Sequence, residues 1–124
     1  MTTQDELAVG PGEKPWSPKE VVEARKALQR ELLRLREELL TFTEAAAEVM
    51  RDRSADETDA AARESALAGA AGASEAIADT ERALERLEAG TYGRCGNCAE
   101  PVGKARMQES PRETLCAACA AQRR

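Results

Sequence analysis

Histidine is absent from this chain of 124 residues, and its aromatic side chains are Trp16, Phe42 and Tyr92, one of each kind. Without histidine, the side chain that most often carries protons near neutral pH is missing. No nucleophile–base constellation and no phosphate-cradling glycine loop is present either, so the chain is not expected to be an enzyme. So little aromatic area argues against a conventional compact core. No apolar run approaches membrane-spanning length, which gives no reason to expect a membrane partner. The opening MTTQDELAVGPGEKP lacks a basic region followed by an apolar one, as a signal peptide would have. The expected location is the cytoplasm, where thiols stay reduced and paired cysteines more often hold a metal than a disulfide.

What the chain does contain is alanine, glutamate, arginine and leucine, the composition of long helices and coiled coils. Its net charge of −5 is unevenly spread. Residues 1–89 carry 12 Lys/Arg against 20 Asp/Glu, a balance of −8, whereas residues 90–124 carry six against three, a balance of +3. An acidic helical portion is repelled by phosphates, which disfavours duplex binding along the whole molecule. Sequence-specific DNA recognition is not expected.

Residues 1–16 are rich in glycine, proline and charge and read as a flexible N-terminal arm. Ser17, Pro18 and Glu20 then form a helix-start signature, a Ser-x-x-Glu capping box with proline at the first helical position. Val21, Leu28, Leu35, Phe42 and Val49 recur every seven residues, interleaved with Leu32, Leu39 and Ala46, and only Arg25 breaks the seam. Polar residues around 52–60 interrupt it. A second seam follows: Ala66, Ala70, Ala73, Ile77, Thr80, Leu84 and Leu87. Gly69 and Gly72 lie within it, softening the helix but leaving room for the large side chains of the first. The spacing predicts helices over about 18–52 and 57–88. It favours an antiparallel coiled-coil hairpin within one chain over residues 17–89, and hence a monomer. A parallel dimer of one long helix is the alternative.

Beyond the hairpin, residues 90–124 hold every cysteine of the chain: Cys95, Cys98, Cys116 and Cys119. Cys-x2-Cys-x17-Cys-x2-Cys is a zinc-site spacing. Four thiolates fill a tetrahedral ion completely, so one zinc here would be structural and would organise the module rather than catalyse. Gly93 and Gly96 suit the tight first knuckle. Reducible disulfides or redox-active thiols are the competing reading, but a thioredoxin-like role needs a βαβ context that is missing. The fold class expected is therefore all-α, a long antiparallel coiled-coil helical hairpin followed by a small four-cysteine zinc finger with a short C-terminal helix.

Gly-Thr-Tyr-Gly-Arg-Cys-Gly-Asn-Cys at 90–98, then Val102, Arg106-Met107, Pro111 and Thr114-Leu-Cys-Ala-Ala-Cys119 resembles the zinc finger of the DksA/TraR family. Between the two helices, Asp56-Glu-Thr-Asp59-Ala60-Ala61 resembles that family's Asp-x-x-Asp-x-Ala tip signature. The resemblance covers roughly residues 17–120. It implies a transcription regulator that binds bacterial RNA polymerase through its secondary channel, with Asp56, Asp59 and Ala61 at a coiled-coil tip near the active centre. Read from the residues alone, Asp56 is a good N-cap and both acids complement the dipole of the second helix, a role compatible with the other. Family members that respond to the alarmone ppGpp usually carry basic residues where this chain has Ser110 and Ala120. That speaks against ppGpp as a partner, although Lys104 and Arg106 remain as candidate anion contacts. Two other readings stand beside the polymerase regulator: a zinc-ribbon nucleic-acid-binding protein using the basic end, and an adaptor whose coiled coil pairs with another helical protein. Tyr92 as the finger's sole aromatic offers little for base stacking.

Overall fold

The first helix starts where its sequence directs. Ser17 Oγ accepts from the Glu20 amide at 3.1 Å and the Glu20 carboxylate accepts from the Ser17 amide at 2.9 Å, a closed capping box. In the computed structural model, which describes residues 7–51 and 57–123, four helices follow in order. They are α1 (Pro18–Arg51), α2 (Glu57–Ala89), α3 (Lys104–Glu109) and α4 (Ala117–Gln122). The two long helices form a hairpin, and their bounds lie within one residue of those expected from the seams. α4 is the expected short C-terminal helix, while α3 has no counterpart in the sequence reading. Of the tip expected near 52–60, residues 52–56 lie outside the described residues.

The chain divides into two compact units, and the division does not fall at residue 89. One unit takes the N-terminal residues through Arg30 and everything from Thr80 onward; the other is Glu31–Asp79. In the first, the base of α1 and the end of α2 share one core with the cysteine module. Leu7, Trp16, Val21, Leu28, Ala83, Leu87, Tyr92, Val102 and Met107 are buried together with Cys95 and Cys119. Trp16 and Tyr92 meet edge to face at 5.7 Å between ring centres, a geometry the ring quadrupoles favour. The scarcity of aromatics argued against a conventional compact core; this unit has one, because the chain's Trp and Tyr both pack there.

Residues 7–16 correct the expectation of a flexible arm over 1–16. Leu7, Ala8 and Trp16 are buried, and the Trp16 indole N–H donates to the Ala8 carbonyl at 3.2 Å. A tryptophan and a leucine at the ends of a Gly/Pro-rich stretch supply apolar area that outweighs its turn-forming composition. Arg25, the break in the seam, is half-buried and pairs with Glu88 at 3.2 Å. The charge therefore sits at the edge of the helix pair rather than in its interior.

In the Glu31–Asp79 unit the same two helices pack through smaller groups. Leu35, Ala46, Ala66, Ala70 and Ala73 are buried, and Leu32, Leu39, Phe42, Val49 and Ile77 are half-buried. Gly69 is where the close approach was expected. A Cβ built on it would lie 2.5 Å from the Phe42 ring, so glycine is what lets that ring lie across α2. A Cβ at Gly72 would meet nothing within 4 Å.

Candidate metal centre

The first knuckle is a tight backbone hairpin. Val102 N–H donates to Gly93 O at 2.8 Å, Cys95 N–H to Glu100 O at 2.8 Å, and Ala99 N–H to Cys95 O at 3.0 Å. Arg94 and Pro101 pair as an antiparallel bridge. Gly93 has φ +93° and a built Cβ would lie 3.3 Å from Ala8 O, so this glycine is required on two counts. Gly96 is not in the left-handed region; its place is set by its amide, which donates to Thr114 O at 2.7 Å and ties the two knuckles together. Ala99, directly after Cys98, sits at φ 65°, a conformation that costs a non-glycine residue about 1 kcal/mol or more. The second knuckle runs into α4, whose Ala120 amide donates to Cys116 O at 2.9 Å.

These turns bring Cys95, Cys98, Cys116 and Cys119 together, with all four sulfurs within 4.8 Å of one another. Cys98 and Cys116 stand 3.8 Å apart, Sγ to Sγ. A tetrahedron of thiolates bound at about 2.3 Å has edges of about 3.8 Å, so the sulfurs are already placed for a metal ion of zinc's size. The set is two-sided: Cys95 and Cys119 are buried, whereas Cys98 is exposed and Cys116 half-buried.

The thiols do not ionise alike. Burial raises Cys95, but amide hydrogen bonds from Cys116, Cys98 and Asn97 outweigh it and bring this thiol down to about 6. At Cys98 a hydrogen bond from the Glu100 amide lowers the value, but partial desolvation and the neighbouring thiols push it up to about 12 overall. Such a cluster suits a divalent metal that releases protons on binding.

Around the cluster, two carboxylates hold the frame. Glu13 accepts from the amides of Lys104 at 2.6 Å and Ala105 at 3.0 Å. It thereby caps the start of α3, where Gly103 has no side chain to do so. These amides, that of Ala105 foremost, hold the Glu13 carboxyl below its ordinary value. Glu20, besides closing the capping box, accepts from Lys104 Nζ at 3.0 Å. The Ser17 amide and then Lys104 bring its pKa down to about 2. Tyr92 donates its hydroxyl to Pro111 O at 2.7 Å, and burial pushes its phenol upward.

Lys104 and Arg106, expected as possible anion contacts, both have internal partners. Lys104 pairs with Glu20, and Arg106 donates to Leu115 O at 3.2 Å and pairs with Glu113 at 3.1 Å. Asp59 and Ala61 lie near the start of α2, half-buried and exposed respectively. Asp56 lies outside the described residues. Sequence reading passed over Glu13 and Asn97. Glu13 carries no local signal of this role, since the α3 amides it caps lie about ninety residues away. Asn97 lies inside the Cys-x-x-Cys turn, where the spacing marks the cysteines and Gly96 marks the tight backbone, but nothing marks a side chain that crosses to the other knuckle.

A helical hairpin bearing a four-cysteine knuckle module is the class of protein this fold defines. No family model and no curated protein matches the chain. A solved structure does: that of transcription factor DksA2 from Pseudomonas aeruginosa, with a TM-score of 0.70 and 25% identity, over 86% of this chain and 84% of that one. The chain is similar in fold to that transcription factor along most of both lengths.

Proposed function

We propose that the chain is a transcription factor that binds bacterial RNA polymerase through the secondary channel and modulates promoter-complex stability. The observation that carries this reading is the likeness to the transcription factor DksA2, which runs through most of both chains. In this reading one structural zinc is held by Cys95, Cys98, Cys116 and Cys119, which supply a closed thiolate set with no open position for chemistry. The functional plan is a hairpin over 17–89 and a zinc module over 90–124, with Asp56, Asp59 and Ala61 at the tip between the helices. The protein acts as a cytoplasmic monomer. Among the described residues no helix is long and apolar enough to cross a membrane.

The zinc-ribbon nucleic-acid reading is disfavoured by a specific observation. Lys104 and Arg106, two of the basic groups of the cysteine module, are turned onto Glu20 and Glu113. A phosphate would have to displace these partners. The same pairing, together with Ser110 and Ala120, argues against dependence on ppGpp.

The test is open-complex lifetime on a sensitive promoter, measured beside affinity for core polymerase. Replacing Asp56 and Asp59 together by asparagine retains capping ability, since asparagine caps about as well as aspartate. The double variant is expected to lose the effect on transcription while keeping most of its affinity. Full activity of this variant overturns the role of the tip, and failure of the native chain to bind core polymerase overturns the whole reading.

A further inference from the structure

Asn97 lies between the two cysteines of the first knuckle, yet its side chain reaches the second. Its amide Nδ2 donates to Cys119 Sγ at 3.3 Å, across 22 residues of sequence. Its backbone N–H donates to Cys95 Sγ at 3.4 Å. One residue thus gives two hydrogen bonds to two sulfurs contributed by different knuckles. These are the two buried members of the cluster. The asparagine itself is exposed, so its amide lies over Cys119 from the solvent side.

We propose that Asn97 is the positioning residue of the metal centre, joining the knuckles through sulfur and holding the Cys95–Cys119 pair in a metal-ready arrangement. The proposal rests on the metal reading above. Four thiolates around a divalent ion leave two negative charges in excess, and N–H donors aimed at sulfur disperse that charge where water reaches poorly. Each donor also fixes the direction of the sulfur it touches. The Cys98–Cys116 side, being the more open, is then where an incoming chelator first gains a foothold, and Asn97 resists the later release of Cys119.

This role separates from packing by a matched pair of substitutions. Asn97→Ala removes the side-chain donor and keeps the backbone N–H. Asn97→Asp keeps the size but puts a carboxylate against the thiolates. The full-length chain is loaded with zinc, and metal transfer to a coloured chelator is followed in time and at equilibrium; cobalt loading gives the sulfur-to-metal charge-transfer band. Retention is expected to fall about tenfold in Asn97→Ala, within the usual range for an outer-sphere partner. Asn97→Asp is expected to fall further, and the cobalt band to shift in both while helical signal in the loaded proteins stays unchanged. If the native chain binds neither ion, the metal reading itself fails. If the native chain binds and Asn97→Ala releases metal within twofold of it, the positioning role is overturned. Native-like retention by Asn97→Asp has the same consequence, because it reduces Asn97 to a filler of space.

Discussion

The two units of this chain share the same pair of helices but are held by different means. In the unit that carries the cysteine module, two aromatic rings, a buried methionine and long aliphatic side chains make a core. Glutamates reach across the sequence there to cap and pair with α3. In the Glu31–Asp79 unit the buried positions are mostly alanines, and Leu33, Leu40, Met50 and Leu67 face solvent. A buried leucine or aromatic contributes about 1.5–3 kcal/mol relative to exposure, and alanine far less. The difference teaches that a regular heptad seam reports where helices touch, not how strongly. Strength lies where the seam meets the cysteine module.

The comparison is broken most severely at the four cysteines. Cys95→Ser, or treatment with a strong chelator, is expected to dismantle the cysteine module, since structural zinc contributes on the order of 10 kcal/mol in small modules. Because Cys95 and Cys119 lie in the same core as Trp16 and Tyr92, the damage should also reach the base of the hairpin. Trp16 fluorescence is expected to shift toward that of an exposed indole on chelation, with most of the helical circular dichroism retained. Freshly purified protein should contain one equivalent of zinc by elemental analysis; less than half an equivalent would contradict the assignment. An unchanged Trp16 spectrum in fully stripped protein would show that the core does not depend on the metal.

Within the Glu31–Asp79 unit, two glycines three residues apart sharpen the contrast. Gly69→Ala drives a methyl into the Phe42 ring, and forcing that ring aside should cost about 1–3 kcal/mol. Gly72→Ala meets open space and should stabilise α2 by about 0.5–1 kcal/mol through helix propensity alone. Chemical denaturation followed by circular dichroism measures both. Combining Gly69→Ala with Phe42→Ala should remove most of the clash, leaving a coupling between the sites that the Gly72 variant lacks. Equal effects of the two alanines would mean that the Phe42 contact carries no energy.

These contrasts mark how far the sequence could be read. The capping box at Ser17, the heptad positions of α1 and α2 and the two Cys-x-x-Cys pairs were all legible, because each depends on residues within a few positions of one another. The burial of residues 7–16 and the start of α3 were not. Trp16 finds Tyr92 and Glu13 finds Lys104 only after the hairpin has returned the chain to its beginning, and no local periodicity encodes a contact of that separation. Composition even pointed the other way, since prolines and glycines flank the residues that pack. Asn97 was hidden for a different reason: the spacing of a Cys-x-x-Cys turn does not say that a side chain within it reaches a sulfur of the other pair.

Glu13 offers the mildest test of the same contrast, since it anchors residues 7–16 by hydrogen bonds alone. Its carboxylate accepts from Gly10, Lys104 and Ala105, and Glu13→Ala should cost about 1 kcal/mol at neutral pH, the ordinary worth of a helix cap. The sign with pH follows from the direction of the shift. The folded value lies below the ordinary 4.5, so the carboxylate's contribution is fully present above 4.5 and is lost as the pH falls through the folded value. The stability gap between native protein and Glu13→Ala should therefore narrow progressively in acid. Measuring both zinc-loaded proteins side by side by denaturant unfolding cancels the metal site's own sensitivity to acid, which they share. A gap that stays constant down through that range would mean the carboxylate charge plays no part, and that residues 7–16 are held by Leu7 and Trp16 alone.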